Sequence, residues 1–228
     1  MDLKGWWNVP KVPQTHKDRR RAQILDSAFD VFLRLGYRDA RMQDVLDQAH
    51  VSRGSLYDYF TSKREIFEAV LAQKDGDSLE RLRELASGDR PVAPYVLSWT
   101  RTDDVLDEQA ARWVRATVEF ELSESENPAH GQRRLKRFEV FLSALTATLE
   151  AGVRRGEFEP ALPCRVIARF LIVAQDGAAM GRMVMGEAFR EGDEYGEALR
   201  HFITSSLGIT ARRVRAGPTH RSLSNRQV

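Results

Sequence analysis

The chain has 228 residues, 42% of them hydrophobic and 30% charged, a balance that fits a globular protein with one large or two modest cores. Its formal net charge of +2 hides basic ends, with Lys4, Lys11, Lys17, Arg19, Arg20 and Arg21 near the start and Arg212, Arg213, Arg215, Arg221 and Arg226 near the finish. The single cysteine, Cys164, excludes an intrachain disulfide. Residues 1–13 carry no apolar run of signal-peptide type, and no uncharged run approaches the ~18 residues of a membrane helix, so a cytoplasmic protein is expected.

Residues 1–14 predict a flexible basic arm, because Pro10 and Pro13 oppose a helix and little apolar surface accompanies Trp6 and Trp7. Thr15 followed by Asp18 is a capping pattern for a first helix. Ile24, Leu25, Ala28, Val31, Phe32 and Leu35 then recur at spacings of three and four as one buried face, and Gly36 is placed to end it. A second helix carries Met42, Val45, Leu46 and Ala49 on one side. His50 falls in the turn that follows, where left-handed geometry suits His better than most non-glycine residues.

Ser52 reads as the N-cap of a short third helix, with Val51 placed to staple onto Leu56. Leu56 and Phe60 share the inward face, which leaves Arg53, Ser55, Tyr57 and Tyr59 on the outer and flanking faces. Ser62 with Glu65 makes a capping box that opens a fourth helix on Ile66, Phe67, Val70 and Leu71. Two features of this stretch have no folding rationale. Gly54 in a first helical turn costs about 1 kcal/mol against Ala, yet it lets a backbone approach a ligand closely. Two outward tyrosines add hydroxyls able to donate to phosphate oxygens. A core-packing turn with incidental tyrosines is the plainer alternative.

From Lys74 onward the pattern is one of longer amphipathic helices without strand-like alternation, so the chain as a whole is expected to be all-α. Asp75-Gly76-Asp77 is expected to kink or interrupt the fourth helix, which otherwise continues through Leu79, Leu82 and Leu85 to Ser87-Gly88. Pro91 and Pro94 open a segment with Tyr95 and Trp99, and another runs through Trp113, Val114, Thr117 and Phe120. Asn127-Pro128 precedes a long helix carrying Phe138, Phe141, Leu142, Leu145 and Leu149, ended near Gly156. Pro163 starts the most apolar helix, from Val166 to Met180, and a last helix spans about Tyr195 to Leu207. The tail from 211 has five arginines and no acidic residue, and is expected to be disordered.

Gly36-Tyr37, Val45, and the run Ala49-His50-Val51-Ser52-Arg53-Gly54-Ser55-Leu56-Tyr57-Asp58-Tyr59-Phe60-Thr61-Ser62-Lys63 together resemble the DNA-binding domain of the TetR family of bacterial transcriptional regulators, over about residues 18–72. The resemblance implies an N-terminal three-helix domain with helix-turn-helix and a larger helical domain that dimerises and binds an effector. The corresponding division is a DNA-binding domain at 15–72 and an effector-binding and dimerisation domain at 73–210. Members usually have Thr at position 40, Ser or Thr at 41 and Gly at 50, where this chain has Ala40, Arg41 and His50. Ala40 cannot cap the second helix, which leaves Asp39 as the candidate cap. Arg41 has two readings, a charge-assisted phosphate contact or a solvated surface charge.

Carried over by position, the resemblance implies that Gln43, Arg53 and Ser55 face base edges, with Gly54 admitting the backbone. Arg can pair with guanine O6 and N7, and Gln with adenine N6 and N7. Ser52, Tyr57, Tyr59 and Lys63 would hold phosphates and set the register. In the larger domain, Trp99, Trp113, Phe120, Phe138 and Phe141 are candidates for an effector pocket, with Met180 as an adaptable lining residue and Arg112 or Arg115 for an anionic group; ordinary core or surface is the plainer reading of each. The last two helices resemble the family's four-helix dimer interface, with Phe170, Ala174, Gly177, Gly181, Leu199, Phe202 and Ile203 as candidates. Two recognition helices related by a dyad read half-sites about 34 Å apart, so a homodimer on a pseudo-palindromic operator is expected.

No nucleophile elbow, phosphate loop, HExxH motif or cysteine cluster is present, and the five histidines are scattered. Neither catalytic residues nor a metal or cofactor is therefore expected. The reading is a ligand-responsive repressor that binds operator DNA and an unidentified small molecule, with no membrane partner. An all-α small-molecule-binding protein or enzyme, whose helix-turn-helix reads no operator, stays open beside it.

Overall fold

The computed structural model describes residues 16–100, 108–190 and 194–209, and within them every regular element is helical. The expected arm, the Thr15 cap and the basic tail lie outside the described residues. Chain contacts divide the protein into two compact units, up to Gln73 and from Lys74 on.

The first unit holds α1 (His16–Asp39), α2 (Met42–Ala49), α3 (Arg53–Tyr57) and the start of α4 (Lys63–Ser87). Gly36 does not end α1 outright. It adopts φ 78° and ψ 176°, a conformation open to glycine, and the helix kinks there and resumes to Asp39. The kink carries Tyr37 into the core, where Phe32, Tyr37 and Phe67 pack edge to face with Phe67 centroids 4.8 and 4.9 Å from the other two rings. Ile24, Ala28, Val31, Val45, Ala49, Leu56, Phe60, Ile66 and Val70 fill the rest, none more than 2% exposed.

The second unit contains the remainder of α4, α5 (Ala93–Ser98), α6 (Glu108–Ser123), α7 (Pro128–Arg154), α8 (Cys164–Met185), a 3-10 turn (Gly186–Arg190) and α9 (Glu194–Leu207). Both α6 and α7 pack on α8. Leu82, Val96, Leu142, Leu145, Leu149, Ile167, Leu171, Ile203 and Leu207 form one buried cluster. Asn127 caps α7 by accepting from the Ala129 and His130 amides, and Pro128 at N1 requires no donor partner.

The expected interruption at Asp75-Gly76-Asp77 is absent, for α4 runs unbroken from Lys63 to Ser87. Asp75 instead accepts from Arg137 Nε at 2.7 Å. At the far end of α4 the backbone is tied down by another arginine. The Arg155 guanidinium donates to the carbonyls of Arg90 at 2.8 Å, Leu85 at 2.9 Å, Ala86 and Gly88. Two residues later, Glu157 accepts from the Val92 and Ala93 amides that start α5, at 2.7 and 3.0 Å. Gly156, at φ +76°, makes the turn that aims both side chains at the same connection.

Candidate nucleic-acid interface

The turn between α2 and α3 is built from three local devices. At its start, Arg41 is the N-cap of α2 in extended backbone, and Asp44 reaches back to accept the Arg41 amide at 2.7 Å. The expected cap, Asp39, is occupied elsewhere, 3.5 Å from Arg38, while the Ala40 methyl is buried. In the middle, His50 is left-handed (φ 52°, ψ 46°) with an exposed side chain, and its N–H closes on Leu46 O. At the end, Ser52 Oγ accepts from Ser55 N at 3.2 Å and starts α3.

A tether of polar side chains from α1 holds this turn in place. Gln23 Nε2 donates to Ala49 O at 3.1 Å, and Arg20 donates to Gln23 Oε1 at 3.1 Å. The five residues of α3 are too few for an isolated helix. Burial of Leu56 and Phe60, at 0% and 2% exposure, pins it to the unit.

The opposite side of α3 faces outward. Ser52, Arg53 and Gly54 are exposed, Ser55 and Tyr59 half-buried, and Tyr57 is 42% exposed with the Arg53 guanidinium 5.9 Å from its ring centroid. A Cβ built on Gly54 would meet nothing within 4 Å, so no packing among the described residues explains the absence of a side chain there. Arg41 before α2 and Gln43 on it are also exposed, and Gln43 Nε2 donates to Asp47 Oδ1 at 2.8 Å.

Lys63 stands apart from the other candidate residues. Its ammonium donates to Tyr37 O at 2.7 Å and Arg38 O at 3.1 Å, and lies 4.5 Å from the Tyr37 ring centroid. It therefore closes carbonyls at the end of α1. Glu65 likewise differs from the expected capping box. Its amide donates to Ser62 Oγ, but its carboxylate accepts from the amide and hydroxyl of Thr61, at 2.7 and 2.9 Å, one residue earlier than the box requires.

In the second unit, Trp99, Phe138 and Phe141 are half-buried against one core. Trp99 meets Tyr95 edge to face at 5.8 Å and accepts Gln175 Nε2 at its carbonyl, while Arg169 lies over the Phe138 ring. Burial pushes the Tyr95 phenol above its usual value against the opposing pull of Arg81. Trp113 is half-buried on α6, and Phe120 is fully buried with its ring edge on to His130 at 5.0 Å. Met180 does not join these aromatics, lying on the outer face of α8 at 40% exposure. Arg112 and Arg115 are engaged by Glu108 and Glu119 one turn away. One groove of about 340 Å³ lies in the first unit, lined by Asp18, Arg21, Ala22, Leu25, Ala69, Ala72 and Gln73.

The interface candidates separate into two groups. Leu199 and Ile203, at 4% and 0% exposure, belong to the core of their own chain, so the inclusion of these two in a contact surface is corrected. Gly181 is covered too, because a Cβ there would lie 2.5 Å from the Phe189 ring of the same chain. Ala174 is half-buried, and its carbonyl accepts the Tyr195 hydroxyl at 2.6 Å. Phe170 remains 47% exposed, with Phe202 against it at 4.0 Å, and Gly177 is open. What the sequence reading missed is the rest of an outward stripe. Val166, Phe170, Val173, Gly177, Met180 and Val184 recur at spacings of four and three along α8 and are all exposed.

Among the described residues no group of His, Cys, Asp and Glu is placed to hold a metal ion, and no helix is long and apolar enough to cross a membrane. Residues 24–70 match the family model described as bacterial regulatory proteins, tetR family, and residues 98–191 match that of the tetracyclin repressor-like C-terminal domain. The chain is 29% identical over 205 residues to the uncharacterized HTH-type transcriptional regulator YfiR of Bacillus subtilis, covering 87% of this chain and 97% of that one. It is 26% identical over 164 residues to the nicotine-responsive transcriptional repressor HdnoR of Paenarthrobacter nicotinovorans, covering 71% and 82%. Its fold matches FadR from Bacillus subtilis, solved in complex with stearoyl-CoA, with a TM-score of 0.59 at 22% identity, covering 81% and 98%.

Proposed function

The chain belongs to the TetR family of bacterial regulatory proteins and is a DNA-binding transcriptional regulator, and from that premise we propose that it is a ligand-responsive repressor acting as a homodimer on a pseudo-palindromic operator. Residues 15–72 are the DNA-binding domain, and residues 73–210 bind the effector and dimerise. The observation that carries the DNA-binding face is Gly54, exposed in a helix and enclosed by nothing, between outward Arg53 and Ser55. In the duplex-bound state Gln43, Arg53 and Ser55 meet base edges, while Arg41, Ser52, Tyr57 and Tyr59 meet phosphates. Lys63 contributes by bracing the end of α1.

Support for self-association comes from the α8 stripe. Single exposed apolar residues are ordinary on a protein surface, but a row along most of a helix asks for a cover. A second copy of the chain supplies the same row through a dyad. Effector binding is supported by the nicotine response of HdnoR and by the stearoyl-CoA complex of FadR. Relief of repression then needs an effector that binds better to the dimer whose recognition helices are wrongly spaced for successive grooves. A cytoplasmic location accompanies this reading, with no cofactor and no catalytic step.

Mobility shift against the DNA flanking the protein's own coding region tests the proposal. The expected result is a shift that weakens with salt and that random DNA fails to compete away. Equal competition by random DNA, or no shift, would instead favour a helical small-molecule-binding protein that reads no operator.

A further inference from the structure

The hydrogen bond between Gln43 and Asp47 has no evident part in folding. Both side chains are exposed, α2 is already capped by Asp44, and its buried face is Val45, Leu46 and Ala49. We propose that Asp47 is a positioning residue for sequence readout, which holds the Gln43 amide in one of its two orientations and thereby sets the base that Gln43 prefers. The inference rests on the placement of Gln43 at base edges proposed above.

A glutamine amide rotates broadly about its terminal torsion, and a half turn exchanges its oxygen and nitrogen. The two orientations present opposite patterns to a base pair. A carboxylate, in contrast, only accepts. Asp47 Oδ1, at 2.8 Å from Nε2, therefore admits the nitrogen end of Gln43 and repels the oxygen end. Pairing through the N–H that points away from the carbonyl keeps Oε1 clear of the carboxylate. The second N–H and Oε1 then lie together on the free edge of the amide. That edge donates to adenine N7 and accepts from adenine N6, the pairing by which glutamine distinguishes adenine in the major groove. Without Asp47 the amide can turn over and meet acceptor groups such as guanine O6, so the preference broadens.

The position of the charge is consistent with this role. A carboxylate on the surface of α2 that approaches phosphates opposes binding to every duplex alike. Its favourable effect is confined to the choice of base.

The test is selection from a pool of random-sequence duplexes with the full chain, as wild type, Gln43→Ala, Asp47→Ala and Asp47→Glu, reading base preference position by position. Gln43→Ala should lose the preference for adenine at one base pair in each half-site. Asp47→Ala should lower it at the same base pair by about 1.4- to 2.3-fold, the worth of one Gln–Asp pair across a helical turn, while all other positions keep theirs. Asp47→Glu, which restores an acceptor-only group, should retain the preference. Asp47→Ala should also bind all sequences more tightly at low salt, an electrostatic effect that leaves the ratios between bases unchanged. An unaltered profile for Asp47→Ala beside an altered one for Gln43→Ala overturns the positioning role alone. A profile degraded at every position also overturns it, since α2 would then depend on Asp47 for its fold. No change with Gln43→Ala removes the reading of Gln43 at base edges, and this inference with it.

Discussion

Arg53 and Tyr57 share the exposed side of α3 and lie close enough for the guanidinium to rest near the phenol ring, yet they offer DNA different chemistry. The guanidinium is a planar fork that fits the two acceptors of guanine, whereas the phenol hydroxyl donates a single bond to any phosphate. Arg53→Ala is expected to cost about 1–3 kcal/mol at one base pair of the operator and to relax the preference there. Tyr57→Phe keeps the ring beneath Arg53 and removes only the hydroxyl, so it should weaken binding to all sequences to a similar degree. Titrations of a duplex series differing at single positions measure both effects. Uniform weakening by Arg53→Ala together with a positional effect of Tyr57→Phe would reverse the assignment.

Elements here are held at their ends more than by intrinsic propensity. Beyond its buried Leu56, α3 relies on Ser52 at its start, and the α4–α5 connection depends on Arg155 and Glu157 from after α7. Arg155 serves carbonyls that the end of a helix leaves without partners. Arg155→Ala should therefore destabilise the protein by about 2–3 kcal/mol, the cost of leaving part-buried acceptors unpaired. Urea denaturation checks this as a lower midpoint with an unchanged slope. A midpoint within error of wild type would mean that water replaces the guanidinium at no cost.

For the whole molecule, the α8 stripe is the feature that one chain leaves unfinished. Val173 is 57% exposed, so a charge placed there is solvated in a monomer and buried without a partner in a dimer that uses the stripe. Val173→Glu is expected to sediment as a monomer with an unchanged thermal transition of the isolated chain, and to lose the tight binding to a two-half-site operator while retaining weak single-site binding. A variant that remains dimeric would place the self-association surface elsewhere.

The cap and spacing signals written in the sequence determined that the chain is helical, where most helices begin and end, and that residues 52–57 present an outward polar face. Those signals are local: Ser52, Asn127 and Pro163 act on amides or torsions within a few residues of themselves. The Gln43–Asp47 pair was equally legible, being one turn apart on a helix. Only the tertiary structure decided which apolar residues belong to the chain's own core. An amphipathic pattern marks Leu199, Ile203 and Val173 alike, and does not say that the first two are covered by their own chain while the third stays open. The same holds for partners far apart in sequence. Arg137 meets Asp75 in an unbroken α4, Phe189 closes over Gly181, and the carbonyls at the end of α1 take the lysine expected at a phosphate. Each of these depends on two segments arriving side by side, which packing of the whole chain sets and no short stretch encodes.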